Sequence, residues 1–116
     1  MINLTKFIYG SLYFLLGQVL VWYQINGQFL NDWIKKNPLW VSLLGIPISL
    51  IYIEGTRYLV ESFNGEMWPQ RLVGFAMGIM AFAILTYIHF GETLTPKTIV
   101  TVLLSVLIVL IQIFWK

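Results

Sequence analysis

Apolar residues fall in four long stretches, 7–25, 39–60, 72–90 and 98–115, and polar residues cluster in the short gaps between them. Each stretch approaches the roughly 20 residues that cross a bilayer as a helix at 1.5 Å per residue. The punctuation is sharp: Lys6 before the first, Asn26-Gly27 after it, Asn37-Pro38 before the second. Trp68-Pro69-Gln70-Arg71 precedes the third, Gly91 follows it, and Thr95-Pro96-Lys97 opens the fourth. Lipid offers the backbone no hydrogen-bond partner, and the fourth stretch is apolar on both faces where a membrane strand alternates, so these runs predict helices. The expected architecture is one all-α transmembrane domain over residues 1–116, a four-helix bundle with both ends of the chain on one side.

The first stretch does not read as a cleavable signal, being longer than the usual ~7–15 apolar residues and followed by Trp22-Tyr23-Gln24 where a small-residue site belongs. Trp22, Trp40, Trp68 and Trp115 lie near predicted helix ends and Trp33 lies between helices. That placement suits indoles at the headgroup level. Between the first two stretches, Phe29, Leu30, Trp33 and Ile34 share one helical face, with Gln28, Asn31, Asp32 and Lys35 on the other. The segment 28–36 therefore predicts a short helix lying on the membrane surface.

Composition agrees with burial in lipid. Hydrophobic residues make up 59% of the 116-residue chain and charged residues 10%, against roughly a quarter charged in a soluble domain; the mean hydropathy is +0.81. The net charge of +2 rests on seven basic and five acidic side chains, too few to argue for nucleic acid. Absence of cysteine excludes disulfides and thiolate chemistry. One side of the membrane would carry Lys6, Arg57, Arg71 and Lys116, the other Lys35, Lys36 and Lys97. So even a distribution does not fix orientation, and it leaves open dual insertion, which would permit an antiparallel homodimer.

Candidate chemistry centres on the second stretch. Glu54 sits about 7 Å from its centre at the helical rise, where an ionised group needs a reason. Arg57 and Tyr58, at i+3 and i+4, share its face. Two readings stand: an ion pair with Arg57 that ends the helix, or a proton- or cation-binding carboxylate turned into the bundle, with Ser49 and Tyr52 lining its route. Pro47 removes one backbone bond and frees the Leu43 carbonyl, predicting a bend near Gly45. In the third stretch, Gly74 and Gly78 form a G-x-x-x-G extended by Ala81, a face for close helix packing on this chain or a second copy; Met77 and Met80 read as filling between helices. In the first, Gly10 and Gly17 share a face with Tyr13 and Phe14, and Gln18 is the polar residue nearest mid-span, suited to an interhelical hydrogen bond, with substrate contact as the alternative. In the fourth, Thr101, Ser105 and Gln112 form a stripe expected to face protein. His89 has no metal partner at a usual spacing and reads as an interfacial polar group. No nucleotide loop, nucleophile elbow or zinc-protease motif occurs, so neither a cofactor nor soluble-type catalysis is expected.

Several short motifs accompany these helices: Val21-Trp22-Tyr23 ends the first, Pro38-Leu39-Trp40 opens the second, and Glu54 comes late in it. Gln70 precedes the third, and Phe90-Gly91-Glu92-Thr93-Leu94-Thr95-Pro96 precedes the last. In these the chain resembles a small four-helix member of the drug/metabolite transporter superfamily, in its half-size branch and distantly like the small multidrug-resistance proteins. The resemblance implies a compact bundle, frequently dimeric, moving a small molecule or cation across the cell membrane by alternating access. It departs in one respect: the small multidrug-resistance proteins carry an essential carboxylate in the first helix, where this chain has only Gln18 as a polar substitute. The competing expectation is a non-catalytic membrane structural or assembly subunit. A transporter requires a polar cavity, expected at Glu54; an assembly subunit requires helices packed tightly throughout and an apolar flank for docking.

Overall fold

A computed structural model describes residues 2–115, which form helices, turns and no strand. The long helices are α1 (Leu4–Asn26), α4 (Gly45–Ser62), α5 (Trp68–Phe90) and α6 (Pro96–Phe114); two five-residue helices, α2 (Asp32–Lys36) and α3 (Pro38–Ser42), lie between α1 and α4. With α3 continuing into α4, four helices are long and apolar enough to cross a membrane.

Local chemistry sets the boundaries. Asn3 caps α1 by accepting the Lys6 amide at 3.2 Å, Asn31 caps α2 by accepting the amides of Trp33 and Ile34, and Thr95 caps α6 by accepting that of Thr98. Prolines open α3, α5 and α6, where a missing N–H costs nothing. That explains why α5 begins at Trp68 and not after Arg71: Pro69 starts the helix instead of preceding it. α5 ends at Gly91, whose φ of 65° is the left-handed cap that glycine adopts freely. The surface segment is shorter than the pattern predicts, since Gly27–Phe29 form a 3₁₀ turn and only Asp32–Lys36 are α-helical.

The second apolar stretch is not one continuous helix. It breaks at Leu43-Leu44, one turn before Pro47. There the ladder tightens to three-residue steps, and the Leu43 carbonyl that Pro47 leaves free accepts the Ile46 amide at 3.2 Å. The side-chain amide of Gln24 reaches the Val41 carbonyl at 3.4 Å beside this break.

Helix ends alternate as they must in an up-and-down bundle. The Asn3 amide donates to the Ser62 carbonyl at 2.8 Å and Lys6 pairs with Glu61 at 2.8 Å, joining the start of α1 to the end of α4. At the opposite end, Trp22 Nε1–H donates to Thr86 Oγ1 at 3.2 Å, joining the end of α1 to the end of α5. α1 is central: it packs on α4 with one face and on α5 with another, while α6 lies against α5. The radius of gyration is 15.6 Å, against about 13 Å for a compact chain of this length. The shortest dimension, 18 Å, is less than two helix diameters of ~10–12 Å. The bundle is thus a flat, open array and not the compact one expected.

Glycines make the central contacts. A Cβ on Gly10 would lie 2.6 Å from Leu59 Cγ and 3.0 Å from the Gly55 carbonyl oxygen, and one on Gly55 would lie 2.8 Å from Phe14 Cδ1 and 2.9 Å from Tyr13 Cβ. Gly74 seats the other edge of the Phe14 ring, and Gly78 seats the Gln18 amide. The G-x-x-x-G of α5 therefore packs within the chain, against α1. Phe14, Leu59 and Val73 form the buried cluster at this junction.

Candidate functional site

A half-open groove of about 920 Å³ runs along α5. α1 contributes Phe14 and Gln18, α4 contributes Tyr52 and Thr56, and α6 lines one end with Thr98 and Val102. Along α5 the lining extends from Gln70 and Arg71 past Gly74 and Gly78 to Thr86, about 24 Å of helix. Charged groups stand only at its two mouths: Arg71 at one, Glu92 and Lys97 at the other. Between them the walls are aromatic, apolar or neutral and polar.

Gln18 is the polar centre of this groove. It stands opposite Gly74 and Gly78, whose missing side chains leave room for its amide. Its Nε2 donates to the Gly74 carbonyl at 3.5 Å, a long and weak bond. Among the described residues its carbonyl oxygen and the hydroxyls of Tyr52 and Thr56 have no hydrogen-bond partner. They are the groups free to meet a guest. Tyr52 is held by the seat at Gly17, where its ring carbons lie 2.9–3.3 Å from where a Cβ would be, and by a tilted contact with Phe14, centroids 5.5 Å apart.

The site residues read from sequence divide in two. Gln18 and Tyr52 line the groove, and Gly74 and Gly78 shape it; Glu54 and Arg57 do not reach it. Arg57 Nη1 donates to both carboxylate oxygens of Glu54, at 2.9 and 3.0 Å, with the two side chains 59% and 42% exposed on the outer flank of α4. Of the two readings of Glu54, the structure holds the ion pair with Arg57 and leaves the carboxylate out of the groove lining. Pro47 lies near the start of α4, outside the groove lining. Thr56 was legible as the residue one turn beyond Tyr52 on the same face; Gln70, Arg71, Thr86 and the 92–98 segment are brought together by tertiary packing alone.

Other expectations also shift. Trp22 is no headgroup indole: it is 3% exposed, and its ring stacks on His89 with centroids 5.2 Å apart. His89 in turn hydrogen-bonds the Tyr23 hydroxyl at 2.8 Å, so it clamps the ends of α1 and α5. Trp33, Trp40, Trp68 and Trp115 are all exposed. Of the α6 stripe only Ser105 is buried, and its hydroxyl, like that of Thr101, bonds a carbonyl of its own helix. Lys116 lies outside the described residues. Thr86→Val keeps the shape of the clamp and leaves the Trp22 N–H buried without its acceptor. It should cost about 1–3 kcal/mol, read as a lowered melting temperature in detergent, with a Thr86→Ser control near wild type.

Comparison with known proteins adds no constraint: no family model, no curated protein and no solved structure matches the chain.

Proposed function

We propose that this chain is an integral protein of the cell membrane that moves a small molecule along the α5 groove by alternating access. The observation that supports this reading is the groove itself: a path of about 24 Å, most of the roughly 30 Å apolar layer of a bilayer, with unpaired neutral hydrogen-bonding groups at its middle and charged groups at its mouths. Alternating access is served by α6, which rests on α5 with only Ser105 buried and can tilt at little cost in packing. The groove body holds no carboxylate, so it suits an uncharged, hydrogen-bonding solute better than a proton or a metal cation; an ion in lipid requires a countercharge. The second reading, an assembly subunit, is favoured by the same exposure of α6, whose apolar side chains would dock on another membrane protein.

Purified protein in vesicles distinguishes the two. Uridine, uncharged and rich in hydroxyls, should enter faster than into protein-free vesicles, and the cation ethidium should not. Entry of neither above the protein-free rate would remove the transport reading and leave assembly. The insertion itself is checked in a variant with cysteines replacing both Lys6 and Lys97, which occupy opposite ends of the bundle. In sealed vesicles an impermeant thiol reagent should label only one of the two in any given molecule; labelling of both in the same molecule contradicts the three crossings between them.

A further inference from the structure

One flank of the α1–α4 pair, facing away from the groove, is polar at a depth where lipid offers nothing polar. Glu54 is four residues from the middle of the span Pro38–Ser62, about 6 Å along the helix, in a hydrocarbon layer reaching roughly 15 Å from its centre. Arg57 does not extend toward the nearer headgroups. Helical side chains lean toward the N-terminus, here toward the bilayer middle, and its guanidinium is tied to Glu54. The Arg57 side chain is exposed and that of Glu54 half-exposed. Beside them Tyr13 and Tyr58 stack at 5.6 Å and Tyr9 meets Tyr58 edge-on at 5.8 Å. Among the described residues none of these three hydroxyls has a hydrogen-bond partner. Polar groups at such depth normally face protein.

Independently of any transport role, we infer that this flank is the contact between two copies of the chain inserted in the same orientation, each Glu54 reaching Arg57 of the partner subunit. A two-fold contact brings one patch against itself. An acid and a base one turn apart are self-complementary across such an axis, because two intrachain pairs become an alternating ring of four charges. The register also selects orientation. With both copies inserted the same way, Glu54 and Arg57 of the partner subunit differ in depth by three residues, about 4.5 Å, within reach of an arginine. In an antiparallel pair they lie about 16 Å apart along the membrane normal and never meet. The charge pair thus selects the parallel arrangement from the two that the balanced lysines and arginines left open. Leu50 (60% exposed), Glu54 and Arg57, at i, i+4 and i+7, form the contact stripe.

Two experiments in membranes test this. The chain has no native cysteine, so oxidation of Leu50→Cys should yield a disulfide-linked dimer, while Leu107→Cys on α6 should not. Glu54→Arg and Arg57→Glu, each differently tagged, should lose self-association at least tenfold when expressed alone, and should co-purify with each other when expressed together. An intrachain ion pair cannot produce that rescue in trans, and neither can an antiparallel dimer. The inference is overturned if Leu107→Cys cross-links and Leu50→Cys does not, or if the charge variants fold and associate no better together than apart. Should the charge variants fail to fold, the two cysteine variants decide.

Discussion

Gly55→Leu is expected to separate α1 from α4 and abolish the folded bundle. Even one carbon at this position would sit 2.8 Å from the Phe14 ring and 2.9 Å from Tyr13 Cβ, the latter unable to swing aside because it is fixed to the α1 backbone. On the other side of the crossing, Gly10 faces the Gly55 carbonyl oxygen itself, at 3.0 Å from a built Cβ. A branched side chain must push the two backbones apart, and in lipid there is no hydrophobic gain between helices to offset lost packing. The penalty should reach about 3 kcal/mol or more, seen as loss of cooperative melting in detergent and aggregation on purification. Gly78→Ala is the graded comparison, because its Cβ meets only the mobile Gln18 amide at 3.1 Å. It should melt close to wild type, and Gly78→Ile should fall between. Equal melting of the Gly55→Leu variant and wild type would show that α1 and α4 do not cross here.

The second large effect concerns the flux proposed for the groove. Gln18→Leu preserves volume and apolar packing on α1 but removes the amide at the middle of the groove. A solute that exchanges its hydration for that amide loses about 1–3 kcal/mol when the partner is gone, so uridine entry should fall by roughly 5- to 150-fold. Helix content and melting should stay near wild type, because the bond from Gln18 to Gly74 is long and contributes little. Gln112→Leu on α6, outside the groove lining, should leave the flux unchanged. A Gln18→Leu variant that moves uridine at the wild-type rate would place the path elsewhere.

What the sequence reveals of the fold follows from what each signal measures. Long apolar runs report the cost of exposing backbone and charge to lipid, a one-dimensional quantity, and the helices were legible from it to within a few residues. Gly74 and Gly78 were legible as a packing face because small residues at that spacing have a single geometric use. Pro47 predicted the freed Leu43 carbonyl correctly, although the tightened turn falls one turn earlier. The direction of a helix face was not legible. Tyr52 and Glu54 are two residues, about 200°, apart around α4, so a groove that receives Tyr52 cannot receive Glu54. Hydropathy does not say which neighbour each face meets; the central position of α1, seated through Gly10, Gly17 and Gly55, decides it. Trp22 misled for a related reason. An indole near a helix end fits the headgroup level equally well on paper, but Thr86 supplies a buried acceptor that only the α1–α5 contact reveals.

The most direct test of the groove is its wettability. Single cysteines at Ile79 and Ala83 line it, whereas cysteines at Ile84 and Ile88 replace side chains 57% and 63% exposed on the outer surface of α5. All four lie on one helix, with the groove pair nearer its middle than the outer pair, so depth alone would favour reaction at positions 84 and 88. A charged, membrane-impermeant thiol reagent should modify Ile79→Cys and Ala83→Cys in intact vesicles, with the reaction slowed by excess uridine, and should leave Ile84→Cys and Ile88→Cys unmodified. Uniform protection of all four would mean that lipid fills the groove, and reaction following depth instead of face would mean that no continuous path exists along α5.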